Sequence, residues 1–119
     1  MKFTLFLKDT HMEIIEKLKQ NHSDTTDQSI VKRCVKSAIQ LHDDDLIFGS
    51  AREQCGGGCF ASEPKFVIEM DEEDFNKLQS VYRNQGFEFE EYDSEEEEIS
   101  KTIRCILNFI DYQPDALSI

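Results

Sequence analysis

Lys65-Phe66-Val67-Ile68-Glu69-Met70 alternates along its length, with Phe66, Ile68 and Met70 on one face and Lys65, Val67 and Glu69 on the other. A period of two marks a strand with one buried face. Near the start, Phe3-Thr4-Leu5-Phe6-Leu7 reads the same way, with Phe3, Leu5 and Leu7 opposed to Thr4 and Phe6. Both runs are short, and the segments behind them decide the architecture.

After the first run the period becomes helical. Asp9 or Thr10 opens a helix, with Glu13 three residues after Thr10 in the capping-box position, and Met12, Ile15 and Leu18 form its apolar stripe. Asn21-His22-Ser23-Asp24-Thr25-Thr26 is a turn, rich in side chains that bond local backbone. A second helix starts at Thr26 or Asp27 and buries Ile30, Val31, Cys34, Val35, Ala38 and Ile39, with His42 at its end. The same order then recurs behind the second run. Asp71 or Glu72 opens a helix with Phe75, Leu78, Val81 and Tyr82 on its stripe, and Asn84-Gln85-Gly86 stops it. Ser94 caps the last helix with Glu97 at its third position, ahead of Ile99, Thr102, Ile103, Ile106, Leu107 and Ile110.

The two series superpose. An offset of 63 carries Phe3, Leu5 and Leu7 onto Phe66, Ile68 and Met70, and Met12, Ile15 and Leu18 onto Phe75, Leu78 and Val81. In the final helix the offset is 68, because the second unit holds about five more residues around Phe87-Glu88-Phe89-Glu90-Glu91. The chain of 119 residues thus divides into repeat 1 (1–42), a linker (43–64), repeat 2 (65–112) and a tail (113–119). Within the linker, Leu46, Ile47 and Phe48 form a patch able to pack across the helices. A unit of about forty residues cannot bury its own apolar faces. Two can, if the strands pair antiparallel as a ribbon and four helices pack beneath it. The expected class is α+β, mainly α.

From Phe3 through Ile39, and again from Phe66 through Ile110, this pattern resembles the ribbon-helix-helix superfamily of the methionine and Arc repressors. Members usually form intertwined homodimers, and this chain looks like both halves fused into a single-chain pseudo-dimer. The resemblance implies that the outward ribbon face enters the DNA major groove and reads base edges. Carried over by position, those residues are Lys2, Thr4 and Phe6 with Lys65, Val67 and Glu69. The Arg, Asn or Gln readers usual in the family are missing from them. The resemblance also implies a phosphate anchor at the start of each second helix, where free N–H groups and the helix dipole favour an anion. In repeat 1 the anchor candidates are Thr26, Asp27 and Gln28; in repeat 2 the same place holds Ser94-Glu95-Glu96-Glu97-Glu98.

Charge separates the halves. Against 13 Lys and Arg stand 25 Asp and Glu, a formal charge of −12, which by itself argues against a phosphate binder. Residues 1–42 nevertheless carry a net +2, while 65–112 carry −9. Two functions are compatible with this split. One is a DNA-binding regulator with unequal halves. The other is an acidic protein-binding molecule on the same scaffold (an inhibitor, antitoxin, immunity protein or DNA mimic) whose partner surface is Glu88, Glu90, Glu91, Glu95, Glu96, Glu97 and Glu98. DNA or a basic protein surface is the expected partner, with further self-association left open.

Other chemistry has little support. Cys34 and Cys105 fall at or beside core stripes, as small buried residues do. Cys55-Gly56-Gly57-Gly58-Cys59 would let two thiols meet, but a zinc site takes about four ligands and His42 is the nearest other candidate, so no metal and no cofactor are expected. His11, His22 and His42 are scattered, and no Ser or Cys has a base at a recognisable spacing, which points to a binding protein and not an enzyme. Met1 to Asp9 is charged too soon for a signal peptide, and no apolar run approaches the ~18 residues of a membrane span. A cytoplasmic protein without a membrane partner is expected.

Overall fold

Met1 and Met70 bond to each other's backbone, and the two strands they begin and end run antiparallel as a ribbon. The computed structural model describes residues 1–23, 26–41, 47–48, 63–85 and 94–115. The order among them is β1 (Lys2–Leu7), α1 (Asp9–His22), α2 (Asp27–Leu41), β2 (Glu63–Glu69), α3 (Glu72–Asn84) and α4 (Glu95–Tyr112). Strand, helix, helix thus occurs twice, in a mainly helical α+β fold. The second strand begins two residues before the expected Lys65, taking Glu63 and Pro64 from the linker. Lys2 faces Glu69, Phe3 faces Ile68, Thr4 faces Val67 and Leu5 faces Phe66; a bulge then leaves Lys65 unopposed and sets Phe6 against Pro64.

The four helices close beneath the ribbon around one core. The second helix of each half packs on the other half's strand and first helix: α4 on β1 and α1, α2 on β2 and α3. A fully buried aliphatic side chain contributes about 1.5–3 kcal/mol. β1 encloses Leu5 and Leu7 completely, whereas Ile68 is the one residue of β2 in the buried class and Phe66 is only half-buried. The first strand is therefore the more firmly held. Phe3 adds an edge-to-face contact with Phe75, its ring centroid 5.4 Å away.

Local signals place most boundaries, with corrections. The N-cap of α1 is Lys8, not Asp9 or Thr10, so the Thr10–Glu13 box is not used. In its stead His11 Nδ1 accepts the Lys8 backbone N–H at 3.0 Å. The buried stripe of α1 is His11, Ile14, Ile15 and Leu18, with Met12 at its rim, because 3.6 residues per turn carry a spacing of three off the core face. Asn21 and His22 belong to the helix, which ends at Ser23 in the left-handed region with φ 58°. Thr26 caps α2, its Oγ1 accepting from Ser29 N–H at 3.1 Å. Asp71 is the N-cap of α3, Gln85 its C-cap, and Ser94 Oγ accepts from Glu97 N–H at the start of α4. The expected stripe of α4 is too narrow. Ile99 through Leu107 are buried on every side, including Ser100, Lys101, Thr102 and Arg104. Ile47 and Phe48 are buried in the core, while Leu46, His42, Gly86, Phe87, Phe89, Cys55 and Cys59 lie outside the described residues.

Candidate binding surface of the ribbon

The outward ribbon face is built from three opposed pairs. Lys2 with Glu69 is exposed and cancels in charge; Thr4 with Val67 is uncharged, Val67 being 54% exposed; half-buried Phe6 lies against exposed Pro64. Lys65, expected beside them, is held elsewhere. The bulge brings its ammonium to Asp9 at 2.8 Å and Glu63 at 3.8 Å, and the Asp9 contact raises the lysine pKa while lowering that of the carboxyl. The face thus presents one cation, one anion and a mostly apolar centre.

Its two edges differ. Antiparallel pairing points the backbone of alternate residues away from the partner strand. On β1 these are Lys2, Thr4 and Phe6, and α4 meets the last two. Glu96 accepts the Thr4 N–H, Ser100 Oγ accepts the Phe6 N–H at 3.0 Å, and Arg104 donates to the Phe6 carbonyl at 2.7 Å. Positions 96, 100 and 104 recur every four residues and so form one stripe of the helix. Side chains here substitute for a third strand. By sequence Glu96 belongs to an acidic partner surface and nothing singles out Ser100 or Arg104, since their partner is backbone distant in the chain.

The offset of 68 carries that stripe onto Gln28, Lys32 and Lys36 of α2, all exposed. With Thr26, Ser29 and Arg33 they line an open groove of about 370 Å³. Lys36 reaches Asp71 at 3.1 Å and Asp74 at 2.8 Å, and these carboxylates, Asp74 foremost, raise its pKa. Asp27, an anchor candidate, is neutralised by Lys19 at 2.9 Å, which also holds Glu16 at 3.2 Å. The start of α2 therefore has a cap hydroxyl, a paired acid and basic side chains one and two turns on. In the sequence Lys32, Arg33 and Lys36 stand out only as part of the net +2 of residues 1–42.

The start of α4 is its opposite. Glu95 accepts from Gln79 at 3.0 Å, Glu96 is turned onto β1, and Glu97 and Glu98 are half-buried. The four glutamates suit their own helix dipole. Because Glu96 bonds to Thr4, that carboxylate-rich terminus is fixed directly beside the ribbon. Glu88, Glu90 and Glu91 lie outside the described residues.

Behind the closed edge is a buried polar layer. His11, 2% exposed, keeps its Nδ1 on Lys8 and hydrogen-bonds Asn108; burial, then Arg104 and Lys8, push its pKa down to about 4. The imidazole is therefore neutral near pH 7. Cys34 and Cys105 are buried. Among the described residues no group of three or more His, Cys, Asp or Glu is placed to hold a metal, and no helix is long and apolar enough to cross a membrane. Comparisons with protein-family models, with curated proteins and with solved structures return no match.

Proposed function

We propose that the chain is a tandem ribbon-helix-helix scaffold whose acidic half docks a basic protein surface, and that it does not read DNA. The scaffold reading is supported by the repeated strand-helix-helix order, the antiparallel ribbon, and the packing of each half's second helix on the other half. One observation carries the choice of partner: Glu96 holds the four-glutamate terminus of α4 against Thr4, at the ribbon. A DNA phosphate flanking an inserted ribbon would meet carboxylates there, and phosphate contacts supply most of the affinity for DNA. A protein with Lys or Arg around an apolar centre fits the same surface, because Val67, Phe6 and Pro64 supply apolar contact and Glu95, Glu97 and Glu98 a charged rim.

The second reading, DNA binding through repeat 1, is favoured by one feature: the capped start of α2 with Lys32 and Arg33 beside it. A titration separates the two. The full chain is mixed with duplex DNA and, in parallel, with a Lys- and Arg-rich peptide, at about 50 and about 200 mM salt. Docking predicts no DNA retardation and peptide binding that weakens about tenfold in Glu95→Gln plus Glu98→Gln, but not in the distant Glu13→Gln. Micromolar or tighter duplex binding that falls steeply with salt would overturn the proposal.

A further inference from the structure

We infer that the outer edge of β2 accepts an added strand, and that the segment it takes is an extended acidic peptide. The register sets this up. Met1 and Met70 exchange backbone hydrogen bonds, and the Thr4 N–H is directed to Glu96, so Lys2–Glu69 and Thr4–Val67 are the non-hydrogen-bonded pairs of the ribbon. The N–H and C=O groups of Val67 and Glu69 consequently point away from β1. They are the counterparts, across the ribbon, of the Thr4 and Phe6 groups that α4 satisfies. Among the described residues no hydrogen bond reaches the outward backbone groups of Val67 or Glu69, and both residues are exposed. An open strand edge of this kind is a template for another strand.

The side of α2 that faces this edge selects what can lie there. Lys36 reaches Asp71, two residues beyond β2, and Asp74, which aligns the stripe of Gln28, Lys32 and Lys36 with the strand. The stripe stays exposed and lines the 370 Å³ groove instead of closing on the strand as Glu96, Ser100 and Arg104 do. A strand added at the usual spacing of about 4.8 Å would turn alternate side chains toward α2. There it meets the exposed Lys32 ammonium and the Gln28 amide, so Asp or Glu at the positions facing Lys32 is the complementary choice. A second copy of this chain is the poorer occupant. Pairing β2 with β2 about a two-fold axis would line one edge with like charges from both copies, Lys32 from α2 and Glu69 from the strand. The inference concerns the edge opposite α4 and stands apart from docking at the glutamate terminus.

The test uses the full chain and a labelled peptide of alternating Glu and Val, followed by fluorescence anisotropy. Val67→Pro deletes an outward N–H while leaving the bonds to β1 intact, since proline is accepted at an outward edge position. Its fold is checked by circular dichroism against the parent. The parent is expected to bind the peptide, Val67→Pro to weaken binding about tenfold or more, and Val67→Ala to bind as the parent does. Lys32→Glu, which leaves the strand untouched, is expected to lower affinity and to flatten its salt dependence. No binding by the parent, or equal binding by a folded Val67→Pro, would overturn the inference. So would sedimentation showing a dimer of the parent that Val67→Pro abolishes, because the occupant would then be a second copy.

Discussion

The two edges of the ribbon are built by the same succession of elements and end in opposite states. Beside β1, α4 turns Glu96, Ser100 and Arg104 onto backbone groups; beside β2, α2 leaves Gln28, Lys32 and Lys36 in solvent. The difference lies in reach and burial. To touch the strand, α4 sinks until Lys101 is 2% and Arg104 0% exposed. Desolvating such cations costs several kcal/mol unless they are well bonded, which the Arg104–Phe6 contact helps to offset. α2 keeps an amphipathic pattern, burying Ile30, Val31, Cys34, Val35 and Ala38 and no charge. A repeated pattern of apolar positions therefore fixes where helices sit, and the polar residues between them decide what each edge can bind.

The largest contrast should come from the third member of each stripe. Arg104→Ala leaves the part-buried Phe6 carbonyl without its donor and empties the space of a fully buried side chain, and should cost about 3 kcal/mol in denaturant unfolding. Lys36→Ala removes two ion pairs of a half-exposed lysine and should leave the midpoint nearly unchanged. Equal losses would break the comparison. Next is the histidine behind the closed edge. Its folded pKa of about 4 lies below the ordinary 6.5, so the unfolded chain binds the extra proton as pH falls through that interval. Its contribution is complete above pH 6.5 and is lost toward pH 4, by at most about 3.4 kcal/mol. His11→Asn keeps an acceptor for the Lys8 N–H and should flatten the stability profile across that window. Smallest, and expected to be alike in both halves, are the caps: Ser94→Ala and Thr26→Ala should each lower stability by about 1 kcal/mol. Matching losses would sharpen the view that the halves share helix starts and differ at the edges.

Local patterns in the sequence carry much of this fold. Phe3, Leu5, Leu7 and Ile68 declare the buried ribbon face, the stripes from Ile30 to Ala38 and Phe75 to Tyr82 declare two helix faces, and Ser94 marks a helix start. The features that escaped depend on partners distant in the chain. The bulge at Lys65 sets Pro64 opposite Phe6 and leaves Lys65 beside Asp9, neither of which a period of two records. His11 is polar and lies one residue from the expected stripe, so only the packing of α1 against α4 reveals it as core. For the candidate surface, alternation placed Lys2, Thr4, Phe6, Val67 and Glu69 on the ribbon. It could not tell that Glu96 belongs to Thr4, or that Lys32 and Arg33 line a groove.

The asymmetry of the edges is tested most directly by hydrogen exchange of four backbone amides in the intact protein. Thr4 and Phe6 donate to Glu96 and Ser100, whereas Val67 and Glu69 point outward from β2. The predicted result is slow exchange at Thr4 and Phe6, near the global opening limit, and exchange at Val67 and Glu69 close to that of an unstructured chain. Equal protection of the two pairs, or slower exchange at Val67 and Glu69, would contradict it.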